Sequence, residues 1–98
     1  MAHKQISKPT AGLVFAELNH RKIGDPSTTI MNNTGANIVV RASAEVNRDG
    51  DLSTLTYAQP AEGATTITAG EFAVLTNPYT ALEFVGAGTG TIDIVENY

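Results

Sequence analysis

Ninety-eight residues without a cysteine, at a formal net charge of −4, fit one small domain that has neither disulfides nor thiolate chemistry. The apolar runs fall far short of a membrane span and no hydrophobic signal core opens the chain, so the expectation is a soluble protein made in the cytoplasm and not exported by a signal peptide. Charge is uneven: residues 1–22 carry Lys4, Lys8, Arg21 and Lys22 against Glu17, a balance of +3, whereas residues 23–98 hold Arg41 and Arg48 against nine acids, a balance of −7. An acidic body argues against a nucleic-acid-binding domain, because phosphates require a positive surface. The sequence therefore divides into a basic N-terminal arm, 1–22, and an acidic β domain, 23–98.

Within the arm, Pro9-Thr10 is able to start a short helix over Leu13–Leu18 with Leu13, Val14 and Leu18 on one stripe. The compact apolar run Leu13-Val14-Phe15 is equally compatible with an extended segment, and both readings stay open. Gly24-Asp25-Pro26 is a turn signal. Thr28–Met31 follows as a candidate strand, then Asn32-Asn33-Thr34-Gly35 as a hairpin-type turn. Ala36–Val46 has the clearest strand period: Ile38, Val40, Ala42, Ala44 and Val46 on one face, Asn37, Arg41, Ser43 and Glu45 on the other, with Val39 breaking the pattern. Asn47-Arg48-Asp49-Gly50 reads as a hairpin turn into a returning strand, Leu52–Tyr57. Gln59–Gly63 is a loop and Thr65–Thr68 a short strand. Ala69-Gly70 turns into Phe72–Leu75. After a turn at Asn77-Pro78-Tyr79 come Ala81–Val85, where Leu82 and Phe84 oppose Glu83, and Thr91–Glu96, where Ile92 and Ile94 oppose Asp93. Strands at this spacing predict an all-β fold: a small antiparallel β-sandwich or barrel carrying an N-terminal arm.

No catalytic constellation emerges. Asn47, Asp49 and Asp51 alternate as in a calcium loop, but Leu52 and Ala58 stand where such a loop needs glycine and glutamate, so a hairpin turn with solvated acids is the better reading. Gly86-Ala87-Gly88-Thr89-Gly90 is followed by a strand rather than a helix, so it lacks the amides that cradle phosphate, and its glycines are expected to supply positive φ. His3 and His20 both lie in the arm without a positioned partner. The acids show no paired arrangement for acid–base work, so no enzyme, metal or cofactor is expected. Among Tyr57, Tyr79 and Tyr98, Tyr79 beside Pro78 is a candidate exposed interface anchor, since tyrosine is amphipathic.

The run Thr-Ala-Gly-Glu-Phe-Ala-Val-Leu, then Pro-Tyr-Thr-Ala-Leu-Glu-Phe-Val-Gly-Ala-Gly-Thr-Gly-Thr-Ile-Asp-Ile-Val, resembles small virion proteins of tailed bacteriophages, in which such a turn leads to a strand, an exposed turn and a Gly/Thr-rich closing hairpin. The resemblance covers roughly the last third of the chain, and Asn33–Val46 more loosely. It implies a structural virion protein. The first reading is a capsid decoration or cement protein bound to the major capsid protein; the alternatives are a small tail, neck or spike component, or a carbohydrate- or receptor-binding β module. On the first reading Lys4, Lys8, Leu13, Val14, Phe15, Arg21 and Lys22 lie across a neighbour and Tyr79 adds a contact. Homo-oligomerisation is expected with it, because a sandwich this small leaves open edges.

Overall fold

The computed structural model describes residues 2–8, 13–18, 27–45, 50–61, 63, 66–77, 79–86 and 88–97, the first strand by its backbone alone. Eight strands follow in chain order: β1 Ala2–Lys8, β2 Leu13–Glu17, β3 Ser27–Asn33, β4 Ile38–Ser43, β5 Thr66–Ile67, β6 Phe72–Leu75, β7 Ala81–Val85 and β8 Gly90–Asn97, with a short 3-10 turn at Leu52–Thr54. They form two antiparallel four-stranded sheets, ordered β1-β8-β3-β6 and β2-β7-β4-β5. The fold is a small all-β sandwich and not a closed barrel.

The pairing is nested. β1 pairs with β8, β2 with β7, β3 with β6 and β4 with β5, as if one long hairpin had been folded from its middle. Two further pairings, β3 with β8 and β4 with β7, roll that hairpin into two layers. This is the winding of a jelly roll. Consecutive strands therefore mostly cross between sheets, and the hairpin read at Asn32–Gly35 is instead a crossover, since β3 and β4 belong to different sheets. β3 itself runs on through Asn33.

Alternation explains the core. Ile30, Ile92, Ile94 and Leu75 point inward from one sheet; Ile38, Val40, Leu82, Phe84 and Ile67 point inward from the other. Burying each such side chain stabilises the fold by about 1.5–3 kcal/mol relative to leaving it in water. Asn32, at the inner end of β3, is fully buried as well. Its Nδ2 donates to Ala36 O at 2.7 Å and to Ile67 O at 2.8 Å, and its Oδ1 accepts from Thr34 N–H at 3.0 Å and from the Thr34 hydroxyl at 2.6 Å. Because β3 and β5 lie in opposite sheets, this side chain ties the two layers together at one end.

Three expectations are corrected. The described residues of the expected arm, 1–22, do not stand apart from the β domain: β1 and β2 are strands of the two sheets. Leu52–Tyr57 is not a strand. Asp51 Oδ1 accepts from Ser53 N–H at 3.0 Å and from the Ser53 hydroxyl at 2.6 Å, which winds the chain into the 3-10 turn before it can extend. Only Ala58 returns to β4, exchanging two backbone hydrogen bonds of 2.9 and 3.0 Å with Ala42. β4 ends at Ser43, whose carbonyl accepts from Thr80 N–H at 2.8 Å, so Ala44 is exposed and does not join the inner face. The turns read at Gly24–Pro26 and over residues 47–49, and the placements of Val46 and Pro78, lie outside the described residues.

Of the glycines at 86, 88 and 90, expected to supply positive φ, only Gly90 does so; Gly86 and Gly88 serve close approach instead. Gly90 has φ +126°, whereas a Cβ on Gly88 would come within 2.5 Å of Thr34 O and one on Gly86 within 2.7 Å of Asn37 O. The β7–β8 connection thus lies directly on the β3–β4 crossover, backbone against backbone. Gly88→Ala is expected to lower the unfolding free energy by about 1–3 kcal/mol through overpacking against an unyielding carbonyl, to be checked by urea denaturation.

Candidate docking face

The outward side chains of β2, β7 and β4 form one surface, ordered by the ladder register. Leu13 is opposite Val85 and Val85 opposite Val39; Phe15 is opposite Glu83 and Glu83 opposite Arg41. The first row is apolar across three strands, with Leu13 50%, Val85 41% and Val39 40% exposed. Side chains directly opposite on one face touch or nearly touch, so the three form a continuous stripe rather than scattered exposures.

Beside the stripe, Phe15 and Tyr57 stack with ring centroids 5.4 Å apart at 37°. The Tyr57 hydroxyl donates to Leu52 O at 2.8 Å, so the 3-10 turn holds the ring over β2. Burial raises the Tyr57 pKa above its ordinary value, and the charges of Glu83, Asp51 and Glu45 push it the same way. Asp51 is held below the usual carboxylate range by its hydrogen bonds from the Ser53 hydroxyl and backbone. Glu45 Oε1 accepts from Thr56 N–H, which fixes this carboxylate near the same end. The face therefore has an apolar centre and a rim in which acids outnumber Arg41. Its chemistry suits adhesion to a surface with an apolar centre and basic surroundings.

The predicted contact residues separate in space. Leu13 and Phe15 lie on this face. Val14 points inward and packs against the core, so it is not available to a partner. Lys4 and Lys8 belong to β1 in the other sheet, in register with Ile94 and Gly90. Arg21 and Lys22, like His20, lie outside the described residues. Tyr79 is not an exposed anchor: it packs against the core, and its hydroxyl accepts from Ala61 N–H at 2.8 Å. Val39 and Val85 were missed, although Val39 is the one residue that breaks the alternation of β4, and such a break is the signal of an apolar residue on the wet face.

Among the described residues no group of three or more His, Asp or Glu is placed to hold a metal ion, and no helix is long and apolar enough to cross a membrane. Comparison of the chain with protein-family models, with curated proteins and with solved structures gave no match.

Proposed function

We propose that this chain is a structural virion protein, a decoration or cement protein that binds the head of a tailed phage by protein–protein contacts. The observation that carries the reading is the exposed apolar row Leu13–Val85–Val39 on a rigid sheet. A jelly roll is an architecture shared by capsid proteins, lectins and cupins, so the fold is compatible with the proposal, but the face and not the fold supports it. The partner is the major capsid protein; on a repeating shell many modest contacts add up through multivalency, and each copy needs only a small interface. The protein acts in the virion after synthesis in the host cytoplasm, and uses neither nucleic acid nor membrane.

The test is co-sedimentation with empty shells assembled from the major capsid protein encoded in the same genome. Saturable binding at a ratio fixed by the lattice is expected, and Leu13→Thr with Val85→Thr should weaken it by about tenfold, the scale of two partly buried apolar side chains. Binding to tails and not to shells would replace the reading with a tail or neck component. Glycan-array binding without shell binding would replace it with a carbohydrate-binding module. The two tyrosines nearest the loops offer that module little, since the hydroxyls of Tyr57 and Tyr79 are both engaged by backbone.

A further inference from the structure

The edge of the other sheet is a surface separate from the docking face, and its reading does not depend on the virion proposal. Strand β6, Phe72–Leu75, closes one side of its sheet and has no second strand neighbour among the described residues. Its outward side chains are the apolar Phe72, 67% exposed, and Val74, 43% exposed. Edge strands are normally blunted by lysine, proline, a bulge, a charge or shortness. β5 is only two residues long, β2 ends in Glu17, and β1 contains His3, Lys4 and Lys8. β6 is four residues long, and Glu71 and the bulge that Gly70 and Glu71 make against Asn32 lie just before it, but Phe-Ala-Val-Leu itself holds no lysine, proline, bulge or charge.

We infer that β6 is a self-pairing edge, through which two copies of this chain join their sheets about a two-fold axis at Ala73. The ladder geometry supports the register. Asn32 N–H donates to Glu71 O at 3.0 Å, which sets the hydrogen-bonded positions of the β3–β6 ladder at alternate residues, Ile30 with Ala73 and Thr28 with Leu75. Phe72 and Val74 consequently direct their N–H and C=O groups to the open side. In an antiparallel pair centred on Ala73, Phe72 meets Val74 of the second copy and Val74 meets its Phe72. All four interchain backbone hydrogen bonds form, and each exposed aromatic gains a β-branched neighbour, a favourable cross-strand pair.

Charge does not oppose a second copy at this edge, despite a chain of net charge −4. The nearest acid, Glu71, sits two residues from the axis. The two copies of it are therefore about 13 Å apart at about 3.3 Å per residue, beyond the screening length at physiological salt. No like charges face each other within the paired strands. Four residues a side make an interface below the usual size for a stable complex, so the dimer dissociates at about 0.1–1 mM.

The experiment is sedimentation equilibrium of the full chain from about 10 μM to 1 mM, a range that brackets that affinity. Average mass is expected to rise from the single-chain 10.3 kDa towards twice that value and no further. Val74→Lys should weaken the association at least tenfold while the melting temperature of the dilute protein holds. Ala73→Cys, in a chain that has no other cysteine, should form an intermolecular disulfide on oxidation, because facing residues in a non-hydrogen-bonded pair lie about 4.5 Å apart at Cα, within disulfide reach. A monomer throughout, a trimer or larger ring, a dimer that Val74→Lys leaves intact, or a dimer that Ala73→Cys fails to cross-link would each overturn the inference. If the lysine variant fails to fold, the cross-linking result alone decides.

Discussion

Asn32→Ala is expected to lower the unfolding free energy by about 3 kcal/mol in urea titration, an unusually large effect for a polar residue. The substitution removes four side-chain hydrogen bonds at a fully buried position. It also leaves the carbonyl of Ile67 and the N–H of Thr34 facing a small void, whereas Ala36 O keeps the Thr34 hydroxyl as a donor at 3.0 Å. An unsatisfied buried group costs about 1–3 kcal/mol. The neighbouring asparagine is the control. Asn33 is itself exposed and its Nδ2 makes one hydrogen bond, to Oδ2 of the buried Asp93 at 2.6 Å. A bond to a carboxylate is worth about 1.5–3 kcal/mol, so Asn33→Ala should cost about 1.5 kcal/mol, less than Asn32→Ala. Equal losses at the two positions would refute the inter-sheet tie.

Phe84→Ala should cost about 3–5 kcal/mol, because it deletes the largest fully buried side chain and leaves a cavity that surrounding strands close only in part. Phe84 occupies the middle of β7, in register with Val14 on one side and Val40 on the other, so a void there touches three strands of one sheet. For a domain of this size the change corresponds to a fall in melting temperature of about 12 °C or more, and to a large share of a total stability of about 5–15 kcal/mol. Val85→Ala, one residue along and facing water, should stay within about 1 kcal/mol. Thermal denaturation of the two variants side by side checks both values.

What could be read from the chain follows from how local each determinant is. Phe72–Leu75 and Ala81–Val85 were legible to the residue, since Leu82 and Phe84 alternate with Glu83 and the turns on either side carry Gly70 and Asn77. β2 was obscured because both its faces are apolar: Leu13 and Phe15 point outward while Val14 packs inward, so no alternation shows and the run reads as a docking segment. β1 was invisible for another reason. Ala-His-Lys-Gln-Ile-Ser-Lys has no strand period of its own, and what makes it a strand is β8, at the far end of the sequence. Leu52–Tyr57 failed because the Asp51 side chain offers the backbone a nearer hydrogen-bond partner than β4 does. Division of the strands between layers depends on the nested pairing, which no local pattern encodes. At the candidate face, half of the anchors were found in Leu13 and Phe15. The other half, Val39 and Val85, needed the register of β7 against β4 to bring them beside Leu13.

The pairing of β1 with β8 has a consequence for how the protein is made. Lys8, at the end of β1, is joined in register to Gly90 at the start of β8. A ribosome adding about 5–20 residues per second needs roughly 4 to 16 s to travel between them. During that interval β1 has emerged and its partner does not yet exist. Neither sheet can be completed from the N-terminus onward: β2 waits for β7 as β1 waits for β8. The order of completion is the reverse of the order of synthesis for the first half of the chain. The middle pair β4–β5 closes first and the outermost pair last, so the nascent chain carries two unmatched strands until translation has almost passed the domain.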